Sequence, residues 1–406
     1  MQPTVDTEQR KIWGLHPNIF FLGAVSFLTD VSSEMIFTLI PLFLSNILGA
    51  GGAIVGLVGG LSEATDAVFR IFSGWFSDRI RRHKVLAVTG YSLSTIVKPF
   101  MYLASSWGIV LGVRFGDRIG KGIRSSPRDA LVAESVSLRE RGKGFGLHRA
   151  MDTSGAVLGL VAAAIIIYAV QGGGIELGLR SYQWLVLIGV IPAALALLVL
   201  LSFVREKRHE PLIKDRPAVT TPVIPAKLGT RFKIFLAIIV IFTLGNSSDF
   251  FIILRAQNLE VPLIQVVLML VLHNVVYAAA SLPMGMLSDR IGRKRVISMG
   301  WAVYALVYLG FALASSLWQM WLLFAAYGAY YGIAEGVSKA FIADMIPSGK
   351  RGTAYGIFQG AVGLSLLPAS LIAGWLWDAV SPAAPFYLGA GLAVLAMLGL
   401  LTLVRE

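Results

Sequence analysis

The chain is 406 residues long, 56% hydrophobic and only 14% charged, with a formal charge of +12 and a mean hydropathy of +0.73. Soluble domains carry about 25% charged residues, so a soluble fold is excluded, and a nucleic-acid partner with it, because most cations sit in short connectors between apolar runs. The lack of cysteine excludes disulfides and thiolate chemistry, and the scattered histidines (His16, His83, His148, His209, His273) show no metal-ligand spacing.

In chain order, Met1 to Trp13 is polar and lacks a secretory cleavage pattern. Apolar runs follow at 18–48, 53–76, 85–104, 107–127, 145–169 and 183–203. A second set lies at 232–254, 262–287, 296–315, 318–345, 353–377 and 383–403. Runs of this length cross a hydrocarbon core of about 30 Å as α-helix. The sequence thus predicts an all-α membrane protein with 12 transmembrane helices. Between the sets, Arg205 to Arg231 is basic and carries Pro211, Pro217, Pro222 and Pro225, a composition that forms no packed core. The expected organisation is a six-helix bundle over 14–204, a solvated linker over 205–231 and a second bundle over 232–404.

The even connectors hold the cations: Arg79 to Lys84, Arg139 to Lys143, Arg205 to Lys233, Arg290 to Arg295, and Lys350-Arg351. The odd connectors are nearly bare, with Arg180 and Arg255 their basic residues. The positive-inside rule then makes both termini and the linker cytoplasmic in a multi-pass inner-membrane protein.

The segment Gly74-Trp-Phe-Ser-Asp78-Arg79-Ile-Arg-Arg82-His-Lys84 recurs 211 residues later as Gly285-Met-Leu-Ser-Asp289-Arg290-Ile-Gly-Arg293-Lys-Arg295. Ser32-Ser33-Glu34 likewise matches Ser247-Ser248-Asp249, and Arg141-Gly142-x-x-Phe145-Gly146 matches Arg351-Gly352-x-x-Tyr355-Gly356. With an even number of spans per unit, these are parallel repeats about an axis along the membrane normal, an arrangement found in secondary transporters.

On these motifs the whole chain resembles the major facilitator superfamily, whose signature after the second helix is Gly-x-x-x-Asp-Arg-x-Gly-Arg-Arg/Lys. The second copy matches it throughout, while the first departs at Arg81 and His83. The fourth span is similar to a further family motif through Arg114, Gly120 and Gly122, with Arg118 at its first glycine position. The fifth span has Gly155-x-x-x-Gly159 but lacks the rest of the family's antiporter motif. The resemblance implies spans 1, 4, 7 and 10 around a central cavity, alternating access, and a cytoplasmic latch. The latch residues are Gly74, Asp78, Arg79 and Arg82, repeated as Gly285, Asp289, Arg290 and Arg293. The glycines would let helices pack closely, Asp78 and Asp289 can cap a helix N-terminus, and Arg79 and Arg290 can pair with Asp129 and Asp344.

The fourth span also carries Arg114, Asp117, Arg118, Lys121 and Arg124, with Arg128 just past its end, within an arc of roughly 120° of one helix face. Four such cations on lipid would cost roughly 12 kcal/mol, so they face protein or a water-filled cavity. Acids are available to balance them. Asp30 and Glu34 share a face of the first span, Glu63 and Asp66 lie on the second with Arg70, and Asp152 lies on the fifth with His148 and Arg149. The second half offers Asp249, and Glu335 with Lys339.

Two readings compete. In one the charges are ion pairs that hold helices in register. In the other, Asp30 or Glu34 is the proton-coupling site, and Arg118, Lys121, Arg124, Asp249, Glu335 and Lys339 bind substrate. The run Tyr327, Tyr330 and Tyr331 fits either a pocket wall or helix packing. No nucleotide-binding loop is present and no enzymatic constellation occurs, so neither cofactor nor metal is expected. The expected function is secondary transport of a small organic solute with some anionic character, with protons and membrane lipid as the other partners, export favoured, and the monomer as the unit. A lipid flippase and a non-transporting membrane receptor are the alternatives.

Overall fold

The computed structural model describes residues 16–80, 82–136, 141–206, 229–346 and 351–404. Helix dominates throughout and no strand occurs among the described residues, as hydrocarbon requires of a chain whose backbone groups must pair within their own segment. The first half comprises α1 (Pro17–Phe37), α2 (Ile40–Leu42) with a π-helical turn at Phe43–Ile47, α3 (Gly52–Ile80), and α4 (His83–Val97) with a 3₁₀ turn at Lys98–Leu103. It continues with α5 (Trp107–Glu134), α6 (Arg141–Gln171) and α7 (Leu179–Phe203). The second comprises α8 (Thr230–Gly245), α9 (Phe250–Asn258), α10 (Leu263–Ile291), α11 (Arg293–Leu313), α12 (Leu317–Met345), α13 (Arg351–Ala379) and α14 (Ala384–Leu403).

Nine helical segments among the described residues are long and apolar enough to cross a membrane. The charge-bearing α5 is not one of them, since its charged stripe lowers the hydropathy that such a test reads. Several helices outrun their apolar cores: α3 reaches Ile80 and α5 reaches Glu134, because helical hydrogen bonding continues into the charged ends. The expected linker lies mostly at 207–228, outside the described residues.

Within the first half, α1 packs on α6 and α7, and α5 on α3 and α4; within the second, α10 packs on α12, and α11 on α12 and α14. The halves meet where α3 runs along α13 and α6 meets α10. At the odd-connector face they are joined by hydrogen bonds. The Asp378 carboxylate accepts from the backbone N–H groups of Gly52 (2.7 Å) and Ala53 (2.8 Å), capping the start of α3 from the other half. Gln257 Nε2 donates to Asn46 Oδ1 at 2.7 Å, and the Leu263 N–H to the Gly174 carbonyl at 2.9 Å.

Gly155 and Gly159 let α6 lie directly on the α1 backbone at Phe27 and Val31. A Cβ at Gly155 would strike the Phe27 carbonyl, and overpacking of this kind costs about 1–3 kcal/mol. Gly155→Ala is therefore expected to lower the thermal midpoint of the purified protein, whereas an alanine at Gly146, where a Cβ meets nothing within 4 Å, leaves it in place.

Candidate functional site

A cavity of about 540 Å³ lies between the halves, lined from α1, α3 and α5 on one side and from residues 246–249, α9, α10, α12 and α13 on the other. Asp30, Glu34, Arg118, Lys121, Arg124 and Asp249 all line it. Lys339 is exposed and does not, and the Glu335 side chain lies outside the described part of the structure. Spans 1, 4, 7 and 10 contribute as the family resemblance implies, but spans 2, 8 and 11 contribute too.

The basic wall is α5, and most of its charge is matched. Arg118 Nη2 lies 3.3 Å from Glu63 Oε1, and Arg114 Nη1 lies 3.8 Å from Asp117 Oδ2. Arg124 Nη1 donates to Ser94 Oγ at 2.7 Å, and Ser94 donates to Asp117 Oδ1 at 2.9 Å. Arg114 and Arg124 also sit over aromatic faces, Phe37 at 4.7 Å and Tyr91 at 4.6 Å. Lys121 differs. Its ammonium makes no hydrogen bond and no ion pair among the described residues, yet the residue lines the cavity. Behind this wall the fully buried Lys98 donates to Ser32 Oγ (2.7 Å) and Ser33 Oγ (3.1 Å).

The opposite wall is built on a break in the seventh span. α8 stops at Gly245, α9 starts at Phe250, and Asn246, Ser247, Ser248 and Asp249 between them face the cavity. Unpaired backbone at this depth needs partners. Tyr304 Oη donates to the Gly245 carbonyl at 3.0 Å, and the Ser248 N–H donates to Ser370 Oγ at 3.1 Å. Asp249 accepts from Tyr327 Oη at 2.7 Å and Tyr331 Oη at 3.4 Å. Tyr327 and Tyr331 line the cavity while Tyr330 packs edge-on against Tyr304 in the core, so the tyrosine run serves both of its expected uses. His273 lines the cavity beside Tyr327, ring centroids 5.3 Å apart. The sequence predicts one uninterrupted span at 232–254. The signal for the break was present in Gly-Asn-Ser-Ser-Asp, five turn formers inside an apolar run.

The two acids of α1 have different surroundings. Glu34 accepts from Thr38 one turn on. Asp152 of α6 accepts from Ser26 Oγ at 2.6 Å, one turn before Asp30 on α1, so the Asp30 and Asp152 carboxyl groups are neighbours. Two neighbouring buried carboxyl groups repel when both are ionised, so such a pair favours holding one proton.

A family model of the Major Facilitator Superfamily matches residues 22–258 and again 234–406. The chain belongs to the Major Facilitator Superfamily. It is 40% identical, over 394 residues and 95% of both chains, to an uncharacterized MFS-type transporter of Methanocaldococcus jannaschii. Over 150 residues, 37% of each chain, it is 29% identical to the multidrug resistance protein MdtH of Proteus mirabilis. Its fold matches the crystal structure of a mutant of the nucleoside transporter NupG with a TM-score of 0.77 at 12% identity, covering 96% of this chain and 100% of that one. The chain is a multi-pass membrane transporter of a small solute.

The signature loops of this Major Facilitator chain depart from the sequence reading in detail. Gly292 takes a left-handed φ of 96° at the α10–α11 turn, which explains the glycine at that motif position. Asp289 caps nothing: it precedes that turn inside α10 and lies 3.7 Å from Arg293. Arg293, rather than Arg290, reaches Asp344, at 3.1 Å, because it starts α11 while Arg290 is exposed at the end of α10. A Cβ at Gly285 would meet nothing within 4 Å, so that glycine marks no close helix contact here, and Gly74 has only ordinary contact with Ser126. In the first copy the side chains of Asp78 and Arg79 lie outside the described part, as does Arg81, and Arg82 is exposed. Asp129 is taken by its neighbour Arg128 at 2.9 Å. His83, in place of a cation, is buried between Ser77 (2.6 Å) and Glu134 (3.2 Å), and Glu206 caps α4 through the His83 N–H.

Proposed function

We propose that this Major Facilitator chain is a proton-coupled transporter of a small organic solute bearing an anionic group, working as a monomer by alternating access. The observation that carries this reading is Lys121. In a cavity whose other cations are matched by Glu63, Asp117 or Ser94, it presents an ammonium without a partner. A desolvated cation facing a cavity between repeats is a binding element for negative charge. The tyrosines and His273 opposite offer an apolar, hydrogen-bonding wall for the rest of the solute. Proton coupling is supported by the neighbouring acids Asp30, on the cavity wall, and Asp152, a pair that favours holding one proton. We further propose inner-membrane placement with both termini cytoplasmic, from the connector charges. Export is the proposed direction, supported by likeness over part of the chain to a multidrug resistance protein.

The test is solute flux in proteoliposomes under an imposed pH gradient, using a panel of carboxylates, phosphates and neutral analogues. Anionic solutes are expected to move against their gradient when protons run down theirs. Asp30→Asn is expected to retain exchange without a gradient and to lose gradient-driven accumulation. Accumulation by Asp30→Asn that still follows the pH gradient would remove the proton assignment.

A further inference from the structure

The carboxyl pair is wired to the contact between the halves through Arg149. Asp152 accepts Ser26 Oγ on one oxygen and Arg149 Nη1, at 3.2 Å, on the other. Arg149 Nη2 donates to Tyr277 Oη, on α10 of the other half, at 2.6 Å. Since Asp152 already accepts from a hydroxyl and a guanidinium, Asp30 is the member of the pair better placed to take up a proton. Asp152, Arg149 and Tyr277 do not line the cavity, so this chain of contacts leaves the cavity wall at Asp30 and runs outside the cavity to the half-to-half contact.

Resting on the proton-coupled reading, we propose that Asp152 is the positioning residue that converts protonation of Asp30 into contact between the halves. With its proton, Asp30 holds Asp152 in place, and Asp152 aims Arg149 at Tyr277. Loss of that proton to cavity water sets two carboxylates against each other. Asp30 then turns toward Lys121 and Asp152 moves off, taking Arg149 from Tyr277 and loosening α6 from α10. The surroundings fit this assignment. Glu34 on α1 and Lys121 on α5 act on Asp30 with opposite signs. Arg128 of α5 stabilises the Asp152 carboxylate, as does Arg149. Buried His148 of α6 lies near Arg128 and Asp152, and Tyr91 of α4 near Arg128 and Asp30.

The cysteine-free sequence makes the test direct. Spin labels at Glu176→Cys and Val380→Cys, exposed at the odd-connector face of opposite halves, report the separation of that face by double electron–electron resonance in nanodiscs during a pH titration. The short-distance population is expected to rise as pH falls in the otherwise unaltered protein. That response is expected to be lost in Asp152→Asn and in Tyr277→Phe. The second change removes one oxygen atom, and a thermal midpoint kept in place verifies that its fold is intact. A pH response in Tyr277→Phe and Asp152→Asn equal to that of the parent overturns the positioning role and leaves the proton-coupled reading standing. A parent with no pH response, whose solute flux also ignores the pH gradient, overturns the proton-coupled reading itself.

Discussion

Asp117→Leu is expected to be among the most destabilising single changes in the chain, lowering the thermal midpoint by roughly 5 °C or more. Asp117 is only 4% exposed and is the acid around which the buried cations of the first half are arranged. Arg114 lies 3.8 Å from it, Arg124 reaches it through Ser94, and its charge opposes that of the fully buried Lys98. Leucine fills the volume but leaves three cations facing one another without water. Removing one partner of a buried pair costs about 3–5 kcal/mol, far more than the ~1 kcal/mol of an exposed pair. Asp117→Asn keeps an acceptor for Ser94 and falls between the two. Glu63→Gln provides the contrast. The Glu63 side chain is 38% exposed, so Arg118 regains water when its partner is neutralised, and the midpoint shifts little. The check is a thermal melt of the three variants in one detergent. Equal midpoints for Asp117→Leu and Glu63→Gln would mean that the α5 charges are solvated and not a buried network.

The contrast between these two acids shows where the sequence stops being legible. Apolar run length, connector charge and the twin motifs suffice for a duplicated helical membrane protein, because each is a property of one segment at a time. The facing of the α5 stripe was legible for the same reason. Four cations on one helix face cannot meet lipid, so they must line the interior. What pairs with what is different. It depends on how each helix is rotated and how deep it sits, which local sequence does not record. Asp152 was visible as an acid on the fifth span, but its approach to Asp30 follows from Gly155 and Gly159 seating α6 on the α1 backbone. Likewise Asp344 was visible as a latch acid, and only the turn at Gly292 decides that Arg293 reaches it instead of Arg290. The break at 246–249 was legible in principle. The apolar residues on both sides mask it, and the tyrosines that make it tolerable lie at least 55 positions away.

Lys121→Ala is expected to weaken binding of an anionic solute by roughly 10- to 100-fold, the loss of one hydrogen bond to a charged group at about 1.5–3 kcal/mol. The effect is separable from that of its neighbour. Arg118→Ala also removes a cation, but it leaves Glu63 unpaired in the cavity wall, and that new negative charge repels the same solute. Adding Glu63→Gln to Arg118→Ala is therefore expected to restore most of the affinity, since the pair contributes little net charge. No change at Glu63 restores Lys121→Ala, whose ammonium is not paired to begin with. Lys121→Arg keeps the charge and is expected to bind with a smaller loss, shifted by the planar geometry of the guanidinium. Isothermal titration of the best anionic ligand against the four variants, repeated with its neutral analogue, separates charge from shape. The neutral analogue should bind the parent and Lys121→Ala alike. If Lys121→Ala bound the anion as the parent does while Arg118→Ala with Glu63→Gln did not, the anchor would be the guanidinium of Arg118, and Lys121 would serve only to balance the acids across the cavity.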